Sequence, residues 1–315
     1  MAAAAVTVPL WANPGLEFLI GLLLIQALFA MSWNILFGYA GLASFGHAGF
    51  YAIGAYFTGA LLRYQVPLPF PLMLLLAALL GAAVAWLIGI LALRRLSGIF
   101  LAVLTVALSE ILRLLLSYTK LLGAEDGLSN IPRPRIDLGL VLLDLSSAHA
   151  YYGFLLVAVT LATAALWWLL HGRIGRSFQI IREDAERAAF LGTPVARYRV
   201  LAFMISGGVA AFAGALYAPW ARVVTLDEVN WVQSLQPMLY TLLGGAGSFW
   251  GPAIGAAAFV AINYHTRTLA GVSEMIVGSA LLVIILVAPS GVVGLWRAGV
   301  ARLQARSTRV EGGPR

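Results

Sequence analysis

The sequence contains no cysteine and few charged residues. The absence of cysteine among its 315 residues excludes disulfides, cysteine-ligated zinc sites and thiol catalysis. Only 10% of the residues are charged, against roughly 25% in an ordinary soluble domain. The four histidines are scattered and form no H-x-x-x-H pair, so they offer neither a metal site nor a nucleophile–base pair. These absences argue against a soluble protein and against an intramembrane enzyme.

A nucleotide-binding loop is also missing. No stretch of the form G-x-x-x-x-G-K-S/T occurs, so the chain has no Walker-type loop for phosphates. The net charge of +7 arises from arginines at the ends of apolar runs and in the C-terminal tail, which is not the layout of a nucleic-acid-binding face. We therefore expect no nucleic-acid partner, and no metal or other cofactor bound by this chain.

Long apolar runs take up most of the sequence. Hydrophobic residues make up 61% of the chain and the mean hydropathy is +0.92. Runs of about 20 apolar residues match the thickness of a bilayer core. We predict an all-α fold, a polytopic transmembrane helical bundle of about 8–10 segments, some short or broken, in one domain of residues 1–296. The basic tail, 297–315, is expected to be disordered. The spans are predicted at 16–37, 51–62, 72–93, 98–118, 151–170, 200–220, 233–264 and 274–289.

The distribution of arginines predicts the topology. Residues 171–199 carry six arginines against three acids, which places this loop in the cytoplasm by the positive-inside rule. The five arginines of the tail favour the same side. Both can be cytoplasmic if the overlong segment 233–264 is split at 244–252 into two short helices. The polar connection 120–150, with balanced charge, is then on the outer face.

Residues 172–192 form a charged stretch between two long apolar segments. We interpret it as one short amphipathic helix ended by Gly192. Glu183 and Arg187 have the favourable order for a helix-surface ion pair. Acids alternating with arginines beside small apolar residues favour docking into a groove of a cytosolic partner over anchoring on anionic lipid. The apolar stripe has spacings of three and four: Phe178, Ile181, Ala185 and Ala188.

Two glycine-rich stretches, 38–50 and 244–252, interrupt apolar runs with a similar pattern, GYAG with SF and GGAG with SF. The match is short enough to be either a true internal repeat or a chance similarity among 33 glycines. Glycine-interrupted segments in corresponding halves indicate a transport site at broken helices. Such backbone is tolerated only where protein or a water-filled cavity satisfies its polar groups. Ser44 in the first stretch can bind an ammonium or a carboxylate group of a substrate.

Three polar residues within apolar segments have alternative interpretations. Glu110 and Arg113 are three apart in one span, where charges usually face a bundle interior or a cavity. They form either a substrate or gating contact or, as we favour, a mutually neutralising structural pair. His47 has no acidic or histidine neighbour in sequence, so we favour hydrogen-bonded packing over a proton or metal site.

Several motifs resemble one family of transport proteins. The pattern Glu186, Ala188, Ala189 and Gly192 resembles the E-A-A…G signature in the cytoplasmic loop of ABC importer permeases. Residues 34–55, 98–113, 126–128, 172–192 and 242–255 resemble the M-type permeases of branched-chain amino-acid (LIV) importers. The resemblance extends over residues 16–294. It is specific for the family and less so for the solute, since related permeases carry urea, short amides or aromatic acids.

The resemblance implies a non-catalytic membrane subunit in a bacterial or archaeal cell (inner) membrane, with a cytoplasmic C-terminus. Its partners would be a homologous permease, two cytosolic ATPases that hold ATP and magnesium, and a periplasmic or extracellular solute-binding protein. An ion-coupled secondary transporter is the rival hypothesis, which the scarcity of embedded acids disfavours. The expected ATPase-coupling residues are Phe178, Arg182, Glu183, Glu186, Arg187, Ala188, Ala189 and Gly192. The expected translocation-path residues are Asn34, Gly41, Ser44, Gly46, His47, Thr105, Glu110, Gly244, Gly245 and Gly247.

Overall fold

The computed structural model describes residues 13–93, 98–137 and 142–266, and the single positions 278, 279, 291 and 294. Helices dominate these residues. Their bounds are α1 Pro14–Asn34, α2 His47–Arg63, α3 Phe70–Ala92, α4 Ile99–Tyr118, α5 Ala148–His171, α6 Arg173–Glu183, α7 Ala185–Phe190, α8 Val195–Ala221, α9 Trp231–Gly244 and α10 Gly251–Thr266. A π-helical turn, Ile35–Tyr39, extends α1, and 3₁₀ turns cover Lys120–Leu122, Ala124–Asp126 and Leu226–Val229. The short strands β1 Arg135–Asp137 and β2 Leu142–Asp144 pair antiparallel, with Ile136 opposite Leu143.

Among the described residues, five helices are long and apolar enough to cross a membrane, namely α1 with its π-helical turn, α3, α4, α5 and α8. The helices α2, α9 and α10 are shorter, with 17, 14 and 16 residues. The prediction of an all-α bundle with some short or broken segments is confirmed. The split of 233–264 is also confirmed, because α9 ends and α10 begins on either side of the glycine-rich stretch. The predicted span 274–289 and the tail 297–315 lie outside the continuously described residues.

The connections lie at two opposite ends of the long helices. The helices α6 and α7 join the end of α5 to the start of α8, and we call this the α6–α7 end. The β-hairpin precedes the start of α5, so it lies at the other end, the hairpin end. Buried Trp220 ties this end together: its Nε1 donates to the Phe18 carbonyl (3.2 Å) and its ring stacks on Tyr151 (5.9 Å between centroids).

Small residues let α3 and α8 approach closely. On α3 they recur every four residues, at Ala77, Gly81, Ala85 and Gly89, and face α8. A Cβ added at Gly81 would lie 2.8 Å from the Gly207 carbonyl oxygen and would overlap the Ala211 side chain. Small residues at a four-residue spacing are the usual way for membrane helices to bring their backbones together. Gly207 thus serves close packing between α3 and α8.

Leucine at Gly81 is expected to disrupt this contact between α3 and α8. Forcing a side chain into a packed contact costs about 1–3 kcal/mol or more, and here backbone lies on the other side. We expect a large drop in melting temperature, measured by size-exclusion chromatography of detergent-solubilised protein after heating. Gly153→Leu is the matched control, because no atom lies within 4 Å of a Cβ built there. Equal melting temperatures for the two variants would contradict the role of Gly81 in the close contact between α3 and α8.

Candidate functional site

The first glycine-rich stretch is a break between α1 and α2, and a side chain of α4 pairs two of its backbone N–H groups. The chain leaves the helix after the π-helical turn and re-enters it at His47. Thr105 of α4 supports the break, because its Oγ1 accepts hydrogen bonds from the N–H groups of Phe45 (3.1 Å) and Gly46 (3.3 Å). A Cβ at Gly46 would overlap the Thr105 carbonyl, so glycine is required for this approach. Contacts within the protein therefore pair backbone groups that the helix no longer pairs, as a break inside a membrane requires.

Two buried polar groups in this break retain unused hydrogen-bonding capacity. The Ser44 carbonyl accepts from Trp33 Nε1 (2.8 Å), but the Ser44 hydroxyl, fully buried, has no partner among the described residues. His47 Nε2 lies 2.9 Å from Ser32 Oγ and its ring stacks on Phe29, whereas Nδ1 is unpartnered within the same residues. Buried polar atoms are normally paired with protein or water, so each of these atoms has room for a further partner.

The two glycine-rich stretches contact each other. Asn34 at the end of α1 donates through Nδ2 to the Ser248 carbonyl (3.1 Å). A Cβ at Gly38 would overlap the Ala246 carbonyl oxygen, so the backbones touch directly. Gly245 has a φ of +112°, which disfavours other residues at this turn. Asn34 Oδ1 is buried and has no partner in the described part of the chain.

The remaining glycines of the second stretch have different surroundings. A Cβ at Gly244 would overlap the Gly251 carbonyl, so this glycine lets α9 and α10 pack tightly around the break. No atom of the described residues lies within 4 Å of a Cβ built at Gly247. The structure thus brings together the path candidates of both stretches and Thr105, while Gly41 lies at the edge of the cluster, next to α6.

The charged segment 172–192 is two helices, and the prediction of a single helix is wrong. The break falls at Asp184, which has extended backbone angles (φ −157°, ψ 101°). Its Oδ1 accepts from the Arg187 N–H (2.9 Å) and so caps α7. The expected Glu183–Arg187 pair is replaced by a contact of 3.6 Å between Arg187 Nε and Asp184 Oδ2.

The inner face of α6 and α7 carries the predicted apolar stripe. Phe178, Ile181 and Ala188 are buried, and the Phe178 ring meets that of Tyr198 on α8 edge-on, at 6.2 Å. At the end of α7, Gly192 has a φ of +81°, and the N–H groups of Gly192 and Thr193 bond back to carbonyls of the last turn. The predicted stop at Gly192 is confirmed.

The outer face of α7 exposes large apolar side chains that the sequence analysis missed. Phe190 is 92% exposed and Leu191 is 76% exposed. Glu183, Glu186 and Ala189 are exposed around them. The sequence did contain a signal for this exposed surface: Phe190 and Leu191 directly follow two alanines and fall outside the periodic positions of the buried stripe. Exposed apolar residues rimmed by charge are typical of a protein-binding surface.

Both breaks contact the α6–α7 end. Arg182 of α6 donates through Nη1 to the Gly38 carbonyl in the π-helical turn. Its side chain also covers Gly41, where an added Cβ would lie 3.1 Å from Arg182 Cγ. At the end of α5, the Trp167 ring meets that of Phe249 in the second break (5.0 Å between centroids, 86° between planes). Movement of α6 would therefore act directly on the first break, and movement of the end of α5 on the second.

Comparison of the sequence with known proteins assigns the chain to a family. Residues 15–288 match the family described as branched-chain amino acid transport system, permease component. The chain belongs to this permease family. It is 30% identical to the high-affinity branched-chain amino acid transport system permease protein LivM of Salmonella typhimurium, over 98% of this chain and 76% of the relative. The LivM protein of Escherichia coli is also 30% identical, over 93% of this chain and 73% of the relative.

Other relatives are more distant. The probable LivM protein of Methanocaldococcus jannaschii is 25% identical over 84% of this chain and 89% of the relative. LivH, another permease protein of the branched-chain system in Salmonella typhimurium, is 24% identical over 85% of this chain and 91% of the relative. No solved structure matches the permease. Family membership and its apolar helices make the permease a multi-pass membrane protein.

Glu110 lies apart from the other path candidates. Its carboxylate accepts a hydrogen bond from Arg113 Nε (2.7 Å), and the two side chains are 40% and 35% exposed. Thr105 and Ser109 on the same helix are buried, so Glu110 points away from the breaks. The interpretation favoured from the sequence, a mutually neutralising structural pair, is confirmed, and the pair lies on a partly exposed side of α4.

A buried acid at the hairpin end was assigned no role from the sequence. Glu228, in the 3₁₀ turn Leu226–Val229, is only partly exposed and hydrogen-bonds to Tyr217 of α8 and to Gln233 Nε2 (3.2 Å). Burial raises the pKa of the Glu228 carboxyl above its ordinary value. The hydroxyls of Tyr51 and Tyr56 on α2 are buried and have no partner among the described residues. The sequence places Glu228 next to Asp227 in a connection, where exposure is the default assumption.

Glu228→Gln is expected to stabilise the permease at higher pH. A carboxyl whose pKa is raised on folding contributes its stability below the unfolded pKa, and that stability is lost as the pH rises through the folded value. Glutamine keeps a neutral hydrogen-bonding group at all pH values. Melting temperatures of wild type and variant should therefore diverge from pH 5 to pH 8, with the wild type lower at pH 8. Asp227→Asn, a change at the exposed neighbour, is the control, and a constant difference across pH would contradict the prediction.

Proposed function

We propose that this permease is the membrane-spanning, non-catalytic subunit of an ATP-binding-cassette importer for branched-chain or other hydrophobic amino acids. The main support for this proposal is the surface formed by α7 and Leu191, where the exposed side chains of Phe190 and Leu191 lie among charged residues. This surface lies at the end that the arginine distribution assigns to the cytoplasm. An apolar anchor outside the membrane suits a groove of a cytosolic ATPase subunit. The names of the LivM relatives support the solute class.

The proposed mechanism is alternating access driven from the α6–α7 end. Two partner ATPases bind ATP with magnesium. Their closure moves α6 and α7. Arg182 then carries the movement to the π-helical turn, and the end of α5 carries it to Phe249 in the second break. Packed helices respond by switching between discrete arrangements, which opens the path to one side at a time.

The unpartnered polar atoms of the breaks suit an amino acid. A zwitterion presents an ammonium donor and a carboxylate acceptor. Asn34 Oδ1 can accept from the ammonium, and the Ser44 hydroxyl can donate to the carboxylate. Both atoms are buried, Asn34 at the contact between the two breaks and Ser44 within the first break. We place the narrowest part of the translocation path there.

The topology follows from the same proposal. The permease lies in a bacterial or archaeal cell membrane, with the α6–α7 end and the C-terminus in the cytoplasm. The hairpin end then faces outward, where a solute-binding protein delivers its cargo. A permease for urea, short amides or small organic acids is the alternative within the family, and an ion-coupled transporter is the alternative outside it.

Reconstitution tests the proposal. Proteoliposomes that contain this permease, its partner permease and both ATPases should accumulate labelled leucine when ATP is inside and the solute-binding protein is outside. Competition by unlabelled valine but not by urea would assign the solute class. Accumulation by the permease alone under an ion gradient, without ATPases, would contradict the proposal.

A further inference from the structure

A cavity of about 520 Å³ at the hairpin end is lined by three arginines. Arg133 and Arg135 come from the connection before the β-hairpin and its first strand, and Arg222 follows α8. Gln65 and Ser146 complete its polar lining. The volume falls within the range of ligand sites, roughly 300–1,000 Å³. These cations are grouped around a concave surface and not spread along a face.

Two of the three arginines lack a counter-ion. Arg135 lies 3.6 Å from Asp144, whereas within the described residues neither Arg133 nor Arg222 has a carboxylate within 4 Å. Arg133 Nε is buried and makes no hydrogen bond to described residues. Burial, followed by the nearby charge of Arg222, lowers the pKa of the Arg133 guanidinium. A buried donor without a partner beside a second cation is unfavourable unless an anion completes the site.

The surroundings hold these arginines in place. The Arg133 guanidinium lies over the ring of buried Trp220, 5.8 Å from its centroid, and Nη1 donates to the Ser146 carbonyl (3.4 Å). Arg222 and Gln65 both adopt positive φ angles, +62° and +53°, which non-glycine residues rarely do. Both residues follow the end of a helix, α8 and α2, where a left-handed residue is a common cap. Contacts with Trp220 and Ser146 therefore hold Arg133 at the cavity, and Arg222 and Gln65 reach it from the ends of two helices.

We propose that this cavity binds acidic side chains of the solute-binding protein that docks on the permease. Arginine is suited to planar, two-point recognition of a carboxylate. The described lining contains no acid that would take the ammonium group of a free amino acid. A zwitterionic solute would thus leave its positive end unpaired among three cations, whereas an Asp or Glu side chain brings only a carboxylate. The inference rests on the proposed function, which supplies the delivering protein and the outward orientation.

The two unpaired arginines should act at different steps of docking. Arg222 is exposed and steers an acidic surface, so its loss should mainly slow association. Arg133 is partly buried with a desolvated Nε, so its loss should mainly speed dissociation. Screening over about 8 Å at physiological salt makes both effects dependent on ionic strength.

The test uses the complete transporter in nanodiscs and its leucine-loaded solute-binding protein in a surface-binding assay. The Arg133→Gln and Arg222→Gln double variant should raise the Kd at least tenfold and flatten its salt dependence. Glutarate at millimolar concentration should weaken binding to the wild type but not to the double variant. Lys120→Gln removes one positive charge at the same end, outside the cavity, and should leave the Kd unchanged.

The outcomes separate this inference from the proposed function. A double variant that assembles and binds with the wild-type Kd would overturn the inference while ATP-dependent uptake by the wild type still supports the function. Arginine-dependent binding of free leucine, without the binding protein, would also overturn it and make the cavity a solute site. If the double variant fails to assemble, Arg222→Gln alone, at an exposed position, must still slow association, or the inference fails. Loss of uptake in the wild type would instead contradict the proposed function.

Discussion

Replacing Phe190 by aspartate is expected to abolish binding of the ATPase subunit to the permease. Phe190 is 92% exposed in the free permease, so a partner groove would bury nearly the whole ring. Burying such a side chain contributes about 1.5–3 kcal/mol, and a carboxylate in the same apolar groove adds a desolvation cost. We expect at least about a 100-fold rise in Kd, which corresponds to about 2.7 kcal/mol. Binding of purified ATPase to permease in nanodiscs measures it directly.

The exposure of Phe190 makes the result interpretable. A side chain that contacts little in the permease can change without affecting its folding, so the variant should keep the wild-type melting temperature. Leu121→Asp is the matched control, because Leu121 is an apolar residue, 71% exposed, at the hairpin end. It should bind the ATPase normally. Normal ATPase binding by Phe190→Asp would show that α7 is not the docking surface.

The membrane-spanning helices were predictable because the bilayer imposes a simple requirement. Every backbone polar group in the apolar core must be paired within the chain, so spans are continuous helices as long as the core is thick. The predicted spans 72–93 and 98–118 accordingly differ from α3 and α4 by at most two residues at each end. The split of 233–264 was found from charge, since the arginines of the tail required an additional crossing.

The sequence pattern predicted the wrong structure where the contacts of a single side chain, and not the pattern, decide the conformation. The stripe through Phe178, Ile181 and Ala188 has the helical period on both sides of Asp184, so the pattern alone predicts one helix. Asp184 caps α7 through its side chain, and this favours a break that the period does not show. Glu228 is a similar case, because its partial burial depends on Tyr217 and Gln233 meeting it in the folded bundle.

The contact between the two breaks could not be predicted from the sequence. The similarity of the two glycine-rich stretches indicated corresponding positions, but not contact. Asn34 and the Ser248 carbonyl, 214 residues apart, meet because α9 and α10 fold back against α1. Ser44 and Asn34 were named as path residues from the motif, and the unpartnered atoms that make them binding candidates are visible only in the folded chain.

Replacing Arg182 by glutamine is expected to uncouple transport from ATP hydrolysis without loss of ATPase binding. Arg182 reaches away from the exposed face of α7 and donates to the Gly38 carbonyl in the first break. A hydrogen bond from a charged group contributes about 1.5–3 kcal/mol, and this one links the moving helix to the backbone that must rearrange. We expect leucine transported per ATP hydrolysed to fall at least about tenfold, the change that corresponds to about 1.4 kcal/mol. Uptake and phosphate release are measured on the same proteoliposomes.

Arg176→Gln is the matched control, since Arg176 is an exposed arginine of the same helix with no side-chain contact among the described residues that would connect it to a break. It should keep the wild-type ratio of transport to hydrolysis. An unchanged ratio in Arg182→Gln would contradict the role of the Arg182–Gly38 contact in transmission. The two coupling variants together distinguish docking from transmission: Phe190→Asp should lose the ATPase itself, whereas Arg182→Gln should retain an ATPase whose hydrolysis no longer moves the breaks. Such a division is expected because the buried and exposed faces of α6 and α7 contact different partners.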